Sequence, residues 1–222
     1  MFDIHSHILP EVDDGAGSIQ ESFELLADMY NQGITDVIAT PHFYPTVDSL
    51  EDFTEKRERA YQRLKEFKTD QKIPNIYLGC EILYYEGISK VSDFSSFTLN
   101  DSNYLLLELT PYQINKTLFR EIKYIIKEKN IIPIIAHIER YHLSSNYNKL
   151  LRFVKSNKIL TQVNANSLTS KKYSNTIRKL LSKDIINFIA TDAHSVSQRP
   201  PLLKQAFEIV EKKYGTETKQ KL

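Results

Sequence analysis

Histidine and carboxylate side chains recur at the ends of short apolar runs in this sequence. Five of the six histidines and four carboxylates fall at such positions. They are His5, His7, His42, Glu81, Glu108, His137, Asp192 and His194, together with one carboxylate of the Asp13-Asp14 pair. Imidazole and carboxylate groups without a thiolate suit Mn²⁺, Fe²⁺, Zn²⁺ or Mg²⁺ and disfavour a structural zinc knuckle. The pattern therefore predicts a metal centre.

The number and spacing of these side chains favour more than one ion. His5 and His7, like Asp192 and His194, are two residues apart, so each pair points to one side of a strand. Taken alone, each residue has an ordinary alternative, such as a packing histidine or an aspartate that caps a helix. Because an ion takes about three to four protein ligands, nine candidates indicate two or three ions. Clusters with ions about 3.5–4 Å apart are typical of phosphate-ester hydrolysis.

Apolar, β-branched runs of about 5–8 residues alternate with longer stretches of helical periodicity. The runs predict strands near 2–6, 35–40, 75–80, 103–109, 132–137, 160–164 and 186–191. The first intervening helix should follow the capping box at Ser18–Glu21 and stop at Gly33. The other helices are expected at 49–68, 116–129, 146–157, 170–183 and 198–214.

About seven repeats of strand and helix predict an α/β protein with a parallel sheet. The glycine-rich patterns of dinucleotide-binding and P-loop proteins are absent. An open sheet concentrates its site at one switch point, whereas a barrel gathers all of its strand ends around one mouth. Candidate ligands at nearly every strand end therefore favour a barrel of about seven strands. Residues 1–222 are expected to form one domain, because no linker or repeat interrupts them.

Composition disfavours several classes of protein. The formal charge is +1, from 29 basic and 28 acidic residues, so nucleic acid is not favoured as a partner. Cys80 is the only cysteine, which fits a reducing compartment. No apolar stretch approaches the roughly 20 residues of a membrane span, and the first residues lack the pattern of a signal peptide. We therefore expect a cytoplasmic protein with no membrane insertion.

Six segments together resemble the PHP (polymerase and histidinol phosphatase) superfamily. They are Asp3–Pro10, Asp13–Ala16, Ala39–His42, Gly79–Ile82, Ala136–Tyr141 and Asp192–His194. Within the superfamily, the chain is most similar to the bacterial tyrosine-protein phosphatases of capsule and exopolysaccharide gene clusters. The resemblance extends from residue 1 to about residue 214. It implies a distorted, TIM-like (β/α)7 barrel, the PHP fold, with a trinuclear centre that usually holds Mn²⁺.

The resemblance also implies which side chains hold each ion. One ion would be held by His5, His7, Glu81 and Asp192. A second would be held by Glu81, Glu108 and His137. A third would be held by Asp14, His42 and His194. Asp13 competes with Asp14 for this role, since both precede Gly15.

The expected reaction is hydrolysis of a phosphate monoester by hydroxide formed from metal-bound water. Arg140 and Arg199, which the resemblance also favours, are candidates to bind phosphate oxygens bidentately. The thiol mechanism of other tyrosine phosphatases needs an arginine six positions after the cysteine, and Cys80 has Glu86 there. His142 is expected to be a bystander.

Only the resemblance implies the substrate, which would be phosphotyrosine on a protein partner. That partner would be a bacterial tyrosine kinase that controls polysaccharide synthesis. A small-molecule phosphatase, for example one for histidinol phosphate, and a nuclease are the alternatives within metal hydrolases. A metal-binding regulatory protein without turnover, and a barrel whose histidines only pack, are the alternatives outside that class.

Overall fold

The computed structural model describes residues 1–222 and contains nine β-strands and eight α-helices. The strands are β1 (Phe2–Ser6), β2 (Asp36–Ala39), β3 (His42–Phe43), β4 (Asn75–Leu78), β5 (Glu81–Leu83), β6 (Tyr104–Glu108), β7 (Ile132–Ile135), β8 (Leu160–Asn164) and β9 (Phe188–Ala190). The helices are α1 (Ile19–Asn31), α2 (Leu50–Glu66), α3 (Lys116–Lys129), α4 (Tyr147–Ser156), α5 (Ala165–Thr169), α6 (Ser174–Ser182), α7 (Leu203–Tyr214) and α8 (Thr216–Lys221).

The strands form two parallel sheets that follow one another around the molecule. The first has the order β1-β2-β4, and the second has the order β3-β5-β6-β7-β8-β9. β3 continues the path of β2 after Thr40-Pro41, and β5 continues that of β4 after Gly79-Cys80. These two interruptions therefore carry the strand path from one sheet into the other.

The two ends of this strand path also meet. The backbone N–H of Asp192, just after β9, donates to the carbonyl oxygen of His5 in β1 at 2.9 Å. The N–H of His7 donates to the carbonyl oxygen of Ala193, also at 2.9 Å. The parallel sheet is therefore curled, and the carboxyl ends of its strands converge on one edge, which we call the mouth.

Apolar residues on the two sides of each strand serve different cores. In β6, Leu105 and Leu107 belong to a cluster of fifty buried residues. Leu106, between them, belongs to a cluster of seven with Ile4, Ile38 and Ile134 from other strands. Successive strand residues point to opposite faces, so the small cluster fills the concave side of the sheet and the helices cover the convex side.

Local signals account for where the helices begin. The side chain of Ser18 accepts a hydrogen bond from the N–H of Glu21, and Ser49 and Asn115 cap α2 and α3 in the same way. Such caps satisfy backbone N–H groups that the first helical turn leaves free. None of the helices is long and apolar enough to cross a bilayer.

The predicted elements are largely confirmed, with four corrections. Every predicted strand region contains a strand, but β3 and β5 were missed because two-residue and three-residue strands carry too few apolar positions to show a period. The helix predicted at 198–214 was wrong over 198–202, where Pro200-Pro201 prevents helical hydrogen bonding, and α7 begins at Leu203. The region 170–183 divides into a 3-10 turn at Lys171–Tyr173 and helix α6, and short helices α5 and α8 were not predicted.

Gly79, at the break between β4 and β5, should be intolerant of a side chain. A Cβ atom there would lie 2.8 Å from Leu99 Cδ2 and 2.9 Å from Ile38 Cγ2, both on the concave side. We expect Gly79→Ala to lower the free energy of unfolding by about 1–3 kcal/mol through overpacking. Urea unfolding with a chelator present measures this without a contribution from metal binding.

Gly17→Ala is the matched control. Its added Cβ would meet only the flexible end of Glu21, at 3.3 Å. An equal loss of stability in both variants would contradict the packing argument, whereas partial recovery in Gly79→Ala/Leu99→Val, which removes the Leu99 Cδ2 atom, would support it.

Candidate metal centre

The sequence-predicted ligands all lie at the mouth. His5 is in β1, His42 begins β3, Glu81 begins β5 and Glu108 ends β6. The other candidates lie in the segments that follow strand ends: His7, Asp14, His137, Asp192 and His194. His137 and Asp192 have positive φ angles of 31° and 51°, which are unfavourable for residues other than glycine. Backbone strain of this kind is typical of functional sites, where the surrounding structure holds it in place.

Four of the side chains form a fully buried group around one point. His5 Nε2 lies 3.2 Å from Glu81 Oε2 and 3.4 Å from Asp192 Oδ1. His7 Nε2 lies 3.4 Å from each of the same two oxygens. The donor atoms of all four lie within 4.8 Å of one another, a spacing that one ion can bridge. These are the side chains that the family resemblance implies for one ion.

A second group joins the first through His7. Asp14 Oδ1 lies 3.3 Å from His194 Nε2 and 3.5 Å from His42 Nε2. His7 completes this set of donor atoms, which again lie within 4.8 Å of one another. Asp14 is the exposed member of the group, with 64% of its side chain accessible. The arrangement matches the implied set of Asp14, His42 and His194, with His7 added.

The third group differs in one member from the implied set. Its donor atoms come from His42, Glu81 and Glu108, with His42 Nδ1 lying 3.0 Å from Glu81 Oε2 and 3.9 Å from Glu108 Oε2. His137 Nε2 lies on the other side of the carboxylates, 2.9 Å from Glu81 Oε1 and 3.6 Å from Glu108 Oε1. Both histidines therefore contact this pair of carboxylates, and Glu81 is shared with the first group.

The neighbouring aspartates Asp13 and Asp14 have different surroundings. Asp13 Oδ2 accepts hydrogen bonds from His7 Nδ1 at 2.6 Å and from the N–H of His42 at 2.9 Å. Its other oxygen accepts from the N–H of Gly15 at 2.9 Å. Asp13 thus orients His7 from behind, whereas the carboxylate of Asp14 approaches His42 and His194. This geometry favours Asp14 as the ligand.

Acceptor-only partners set the tautomers of three histidines. His7 Nδ1 donates to the Asp13 carboxylate, and His194 Nδ1 donates to the carbonyl oxygen of Asp192 at 3.0 Å. His5 Nδ1 lies 3.2 Å from Gln162 Oε1, which cannot donate. In its neutral form, each ring would therefore carry its proton on Nδ1 and present the Nε2 lone pair to the cluster. An imidazole needs this form to bind a metal.

Gln162 and Asn164, two residues apart on β8, link opposite sides of the cluster. Gln162 Oε1 also accepts the backbone N–H of His137 at 2.8 Å, which fixes the orientation of its amide. Gln162 Nε2 then donates to Asn164 Oδ1 at 2.8 Å, and Asn164 Nδ2 donates to Asp192 Oδ2 at 2.6 Å. No role for this pair was predicted from the sequence. Their signal in the sequence is the two-residue spacing of two amide side chains, which places both on the same face of β8.

Asp192 divides its two oxygens between different tasks. Oδ2 accepts from Asn164, from Arg140 at 2.7 Å and from Arg199 at 2.8 Å. Oδ1 accepts from no donor and lies in the first ligand group. The two arginines are about one-third exposed, so guanidinium N–H groups beyond those bound to Asp192 remain accessible at the mouth.

Unpaired polar atoms show that the cluster fits cations. Eight buried side-chain nitrogen or oxygen atoms lack a hydrogen-bond partner, and four of them belong to candidate ligands. These four are His42 Nδ1, Glu81 Oε2, Asp192 Oδ1 and His194 Nε2. A buried polar atom without a partner is costly, and here the unpaired atoms converge. Divalent cations would satisfy all four, so the residues present fit a metal centre.

The electrostatics of Glu81, Asp192 and His194 point the same way. Burial raises the pKa of Glu81, but His5 and the other nearby histidines hold it well below its usual range. Burial also raises the pKa of Asp192, and His5 and His7 outweigh this effect. Burial lowers the pKa of His194 to about 3, with a further contribution from His7, so its ring is neutral. Ionised carboxylates and a neutral imidazole are the ligand forms that metals require.

The remaining sequence-predicted residues lie outside the ligand groups. His142 is half-buried, donates from Nδ1 to the carbonyl oxygen of Glu139 and belongs to none of the three groups. Cys80 is fully buried, and burial raises the pKa of its thiol far above the usual range. A neutral thiol is a poor nucleophile, which agrees with the exclusion of a thiol mechanism. The ring of Tyr44 stacks on that of His42 with centroids 5.1 Å apart, a contact that was not predicted from the sequence.

Comparisons with known proteins agree with this geometry. A family profile described as capsular polysaccharide synthesis, CpsB/CapC, matches residues 1–222. The tyrosine-protein phosphatase CpsB of Streptococcus pneumoniae is 33% identical, over 100% of this chain and 94% of its own length. The tyrosine-protein phosphatase YwqE of Bacillus subtilis is 32% identical, over 98% of this chain and 86% of its own length. A crystal structure from work on YwqE and CpsB, described as metal-dependent tyrosine phosphatases, superposes with a TM-score of 0.85 at 30% identity, covering 99% of this chain and 90% of the other.

The Gln162 contacts predict a measurable effect on metal affinity. Gln162→Met removes the acceptor for His5 Nδ1 while keeping the side-chain length, so the His5 ring can adopt the wrong tautomer. We expect Mn²⁺ affinity, measured by titration calorimetry, to fall about 10- to 100-fold. Gln162→Glu keeps an acceptor at that position and should recover part of the loss.

Thr161→Val on the same strand is the control. Thr161 donates to the carbonyl oxygen of Ile185 on the opposite face of β8, so its loss should lower thermal stability without changing Mn²⁺ affinity. Unchanged affinity in Gln162→Met would contradict the proposed role of this amide.

Proposed function

The chain belongs to the CpsB/CapC family, and on that premise we propose that it is a metal-dependent protein-tyrosine phosphatase. The relatives at 33% and 32% identity carry the name tyrosine-protein phosphatase, and each alignment covers at least 86% of the relative. The observation that carries the proposal is the convergence of four unpaired, buried ligand atoms at the mouth. Such a cluster matches metal-assisted hydrolysis rather than thiol chemistry.

The side chains of the cluster would hold the cations in a fixed arrangement. We propose the nine ligands His5, His7, Asp14, His42, Glu81, Glu108, His137, Asp192 and His194. When bound, divalent cations lower the pKa of water toward neutrality and neutralise charge on phosphate oxygens. Glu81, whose Oε2 lies near His5 and whose Oε1 lies near His137, would contribute to holding two of the cations.

Arg140 and Arg199 would bind the phosphate group. Both guanidinium groups are fixed by the same oxygen, Asp192 Oδ2, at 2.7 and 2.8 Å. Because Asp192 raises the pKa of Arg140 against the opposing effect of burial, this side chain stays charged. A planar guanidinium with accessible N–H groups suits two oxygens of a phosphate ester. The ligand Asp192 thus couples the position of the phosphate to that of the metal.

Finer features of the proposal rest on the donor set and the topology. We propose Mn²⁺ as the metal, because nitrogen and oxygen donors without thiolate suit it, with two or three ions per chain. We propose that residues 1–222 form a single PHP-type domain, a distorted (β/α)7 barrel. In support, β2 with β3 and β4 with β5 each act as one strand, giving seven, and the first and last strand ends are joined by hydrogen bonds.

The proposed substrate is phosphotyrosine on a bacterial tyrosine kinase. The cytoplasmic location of the protein stays a prediction. The family description supports a role in capsular polysaccharide synthesis. A panel of phosphotyrosine peptide, histidinol phosphate and single-stranded DNA, each with Mn²⁺, tests the substrate class. Turnover of the peptide with little turnover of the other two is expected, and the reverse preference would overturn the assignment.

Single substitutions test the proposed roles at the mouth. Arg140→Ala removes a phosphate contact and should lower kcat/KM on phosphotyrosine peptide about 10²–10³-fold while Mn²⁺ binding persists. His42→Ala removes a donor shared by two ligand groups and should reduce both Mn²⁺ stoichiometry and turnover.

Two matched variants serve as controls. His142→Ala removes the one histidine that is not among the nine proposed ligands, and Cys80→Ala removes the only thiol without adding a buried hydroxyl group. Both should keep turnover within about threefold of the parent, since neither side chain is among the proposed ligands or phosphate-binding residues. Loss of activity in Cys80→Ala with normal folding would contradict the metal mechanism.

A further inference from the structure

The near-neutral total charge conceals a strong separation of charge along the chain. Residues 116–185 contain 15 of the 29 basic residues and 4 of the 28 acidic ones, a net charge of +11. The rest of the chain carries 14 basic and 24 acidic residues, a net charge of −10. The first fifty residues contain nine acidic residues and neither lysine nor arginine. Such asymmetry indicates a polyanionic partner more strongly than total charge does.

The basic segment forms one continuous side of the molecule. Phe119 of α3 stacks on Phe153 of α4 with ring centroids 4.3 Å apart. Lys179 of α6 donates to Asn148 of α4 at 2.9 Å. Helices α3, α4 and α6 are therefore neighbours on the convex side of the sheet. We call their joint outer surface, with the turn at Lys171–Tyr173, the basic face.

Most positive charges on the basic face have no carboxylate partner. Of the 14 lysines and arginines in residues 116–185 other than Arg140, 12 are exposed. Only Lys127 has a carboxylate within 4 Å, that of Glu128 at 3.2 Å. Two of the four acidic residues, Glu121 and Glu139, are buried and bonded within the protein. The exposed charge of this face is therefore almost entirely positive and uncompensated.

Several exposed cations elsewhere in the molecule do have a carboxylate partner. Arg63 contacts Glu11 at 2.6 Å, Lys219 contacts Glu211 at 2.6 Å, and Lys221 contacts Glu217 at 2.8 Å. Two clefts on the basic face show the contrast. The cleft between α3 and α4, of about 380 Å³, is lined by Lys116, Arg120 and Lys123, and no acidic side chain lines it. The cleft beside α4, of about 300 Å³, is lined by Arg152, Lys155 and Lys183, again without an acidic side chain.

We propose that the basic face docks the protein on the headgroups of an anionic lipid bilayer, without insertion. Lysine and arginine side chains near an anionic membrane each contribute favourably to binding, and many of them act together. The clefts between helices can receive individual phosphate headgroups. The acidic remainder of the chain gives the molecule a charge dipole that turns this face toward the membrane.

The breadth of the face favours a bilayer over a linear polyanion. The cations are spread over three parallel helix surfaces rather than aligned in one groove that a peptide or nucleic acid strand would follow. Binding of single strands also uses exposed aromatic side chains for stacking, and Tyr124 is the one large aromatic on these helices that is exposed. A planar array of headgroups matches this distribution of charge better.

Docking by this face would leave the mouth accessible. The basic face lies along the helices, at the side of the curled sheet. The basic face reaches the edge of the mouth at Lys171 and Lys172. The next residue, Tyr173, has its ring centroid 5.5 Å from that of His142, and His142 lies in the same turn as Arg140. A docked molecule would therefore hold its mouth close to the membrane surface but not pressed against it.

Vesicle sedimentation tests the proposal. The full chain is mixed with vesicles of phosphatidylcholine alone or with about 30 mol% phosphatidylglycerol, in about 0.1 M NaCl, where charges interact over ~10 Å. Binding to the phosphatidylglycerol vesicles alone is expected, with loss of binding at about 0.5 M NaCl. The variant Lys149→Glu/Arg152→Glu/Lys155→Glu should lower the partition coefficient at least about 100-fold.

The control carries the same change of net charge on α2 and the residues just after it. The variant Arg59→Glu/Lys65→Glu/Lys68→Glu should bind phosphatidylglycerol vesicles within about threefold of the parent. Circular dichroism and turnover of a soluble phosphotyrosine peptide establish that both variants are folded, and neither variant alters a residue of the mouth. The proposal is overturned if the parent chain stays in the supernatant, or if both variants lose binding equally. It is also overturned if the parent chain binds polyglutamate or duplex DNA but not the vesicles.

Discussion

The carboxylate of Glu81 is fully buried, and four histidines surround it within 3.4 Å. An ionised carboxylate in such a place is stable only when positive charge lies beside it. The histidines come from three separate strand regions, so the surroundings of Glu81 exist only when the sheet is curled and its strand ends converge. Hydrogen bonds that join Asp192 to His5 and His7 to Ala193 hold that convergence. The proposed cation binding and the closure of the sheet therefore depend on the same few residues.

The direction of hydrogen bonds around the cluster follows from a backbone group. The N–H of His137 can only donate, so Gln162 must turn its oxygen toward it and its amino group toward Asn164. Asn164 must then donate to Asp192. This order leaves Asp192 Oδ1 and His5 Nε2 as lone pairs facing inward. A set of ligands is thus prepared before a cation arrives, which reduces the reorganisation that binding requires.

The sequence predicts this site better than it predicts its supports. His5, Glu81 and Asp192 could be found because a polar side chain at the end of an apolar run is costly without a partner, and the run itself reveals the strand. Which of His42 and His137 shares a ligand group with Glu81 and Glu108 could not be predicted, since this depends on the directions of side chains at the ends of β3 and β7. Strand β3 was missed for a similar reason: a two-residue strand has no period, and its place is fixed by pairing with β5. The role of Gln162 depends on a contact 25 residues away in sequence, which a local pattern does not contain.

The same topology explains how charge becomes separated on the surface. In a curled parallel sheet with helices on its convex side, consecutive strand and helix units are neighbours in space, so a stretch of sequence becomes a sector of the surface. The excess of lysine and arginine in residues 116–185 therefore forms one side, and the acidic first fifty residues form another. Charges at the mouth behave differently, because Arg140 and Arg199 are held by Asp192. The cations of the mouth are compensated within the protein, whereas those of the basic face are not, and long-range attraction to a polyanionic surface acts through the second set.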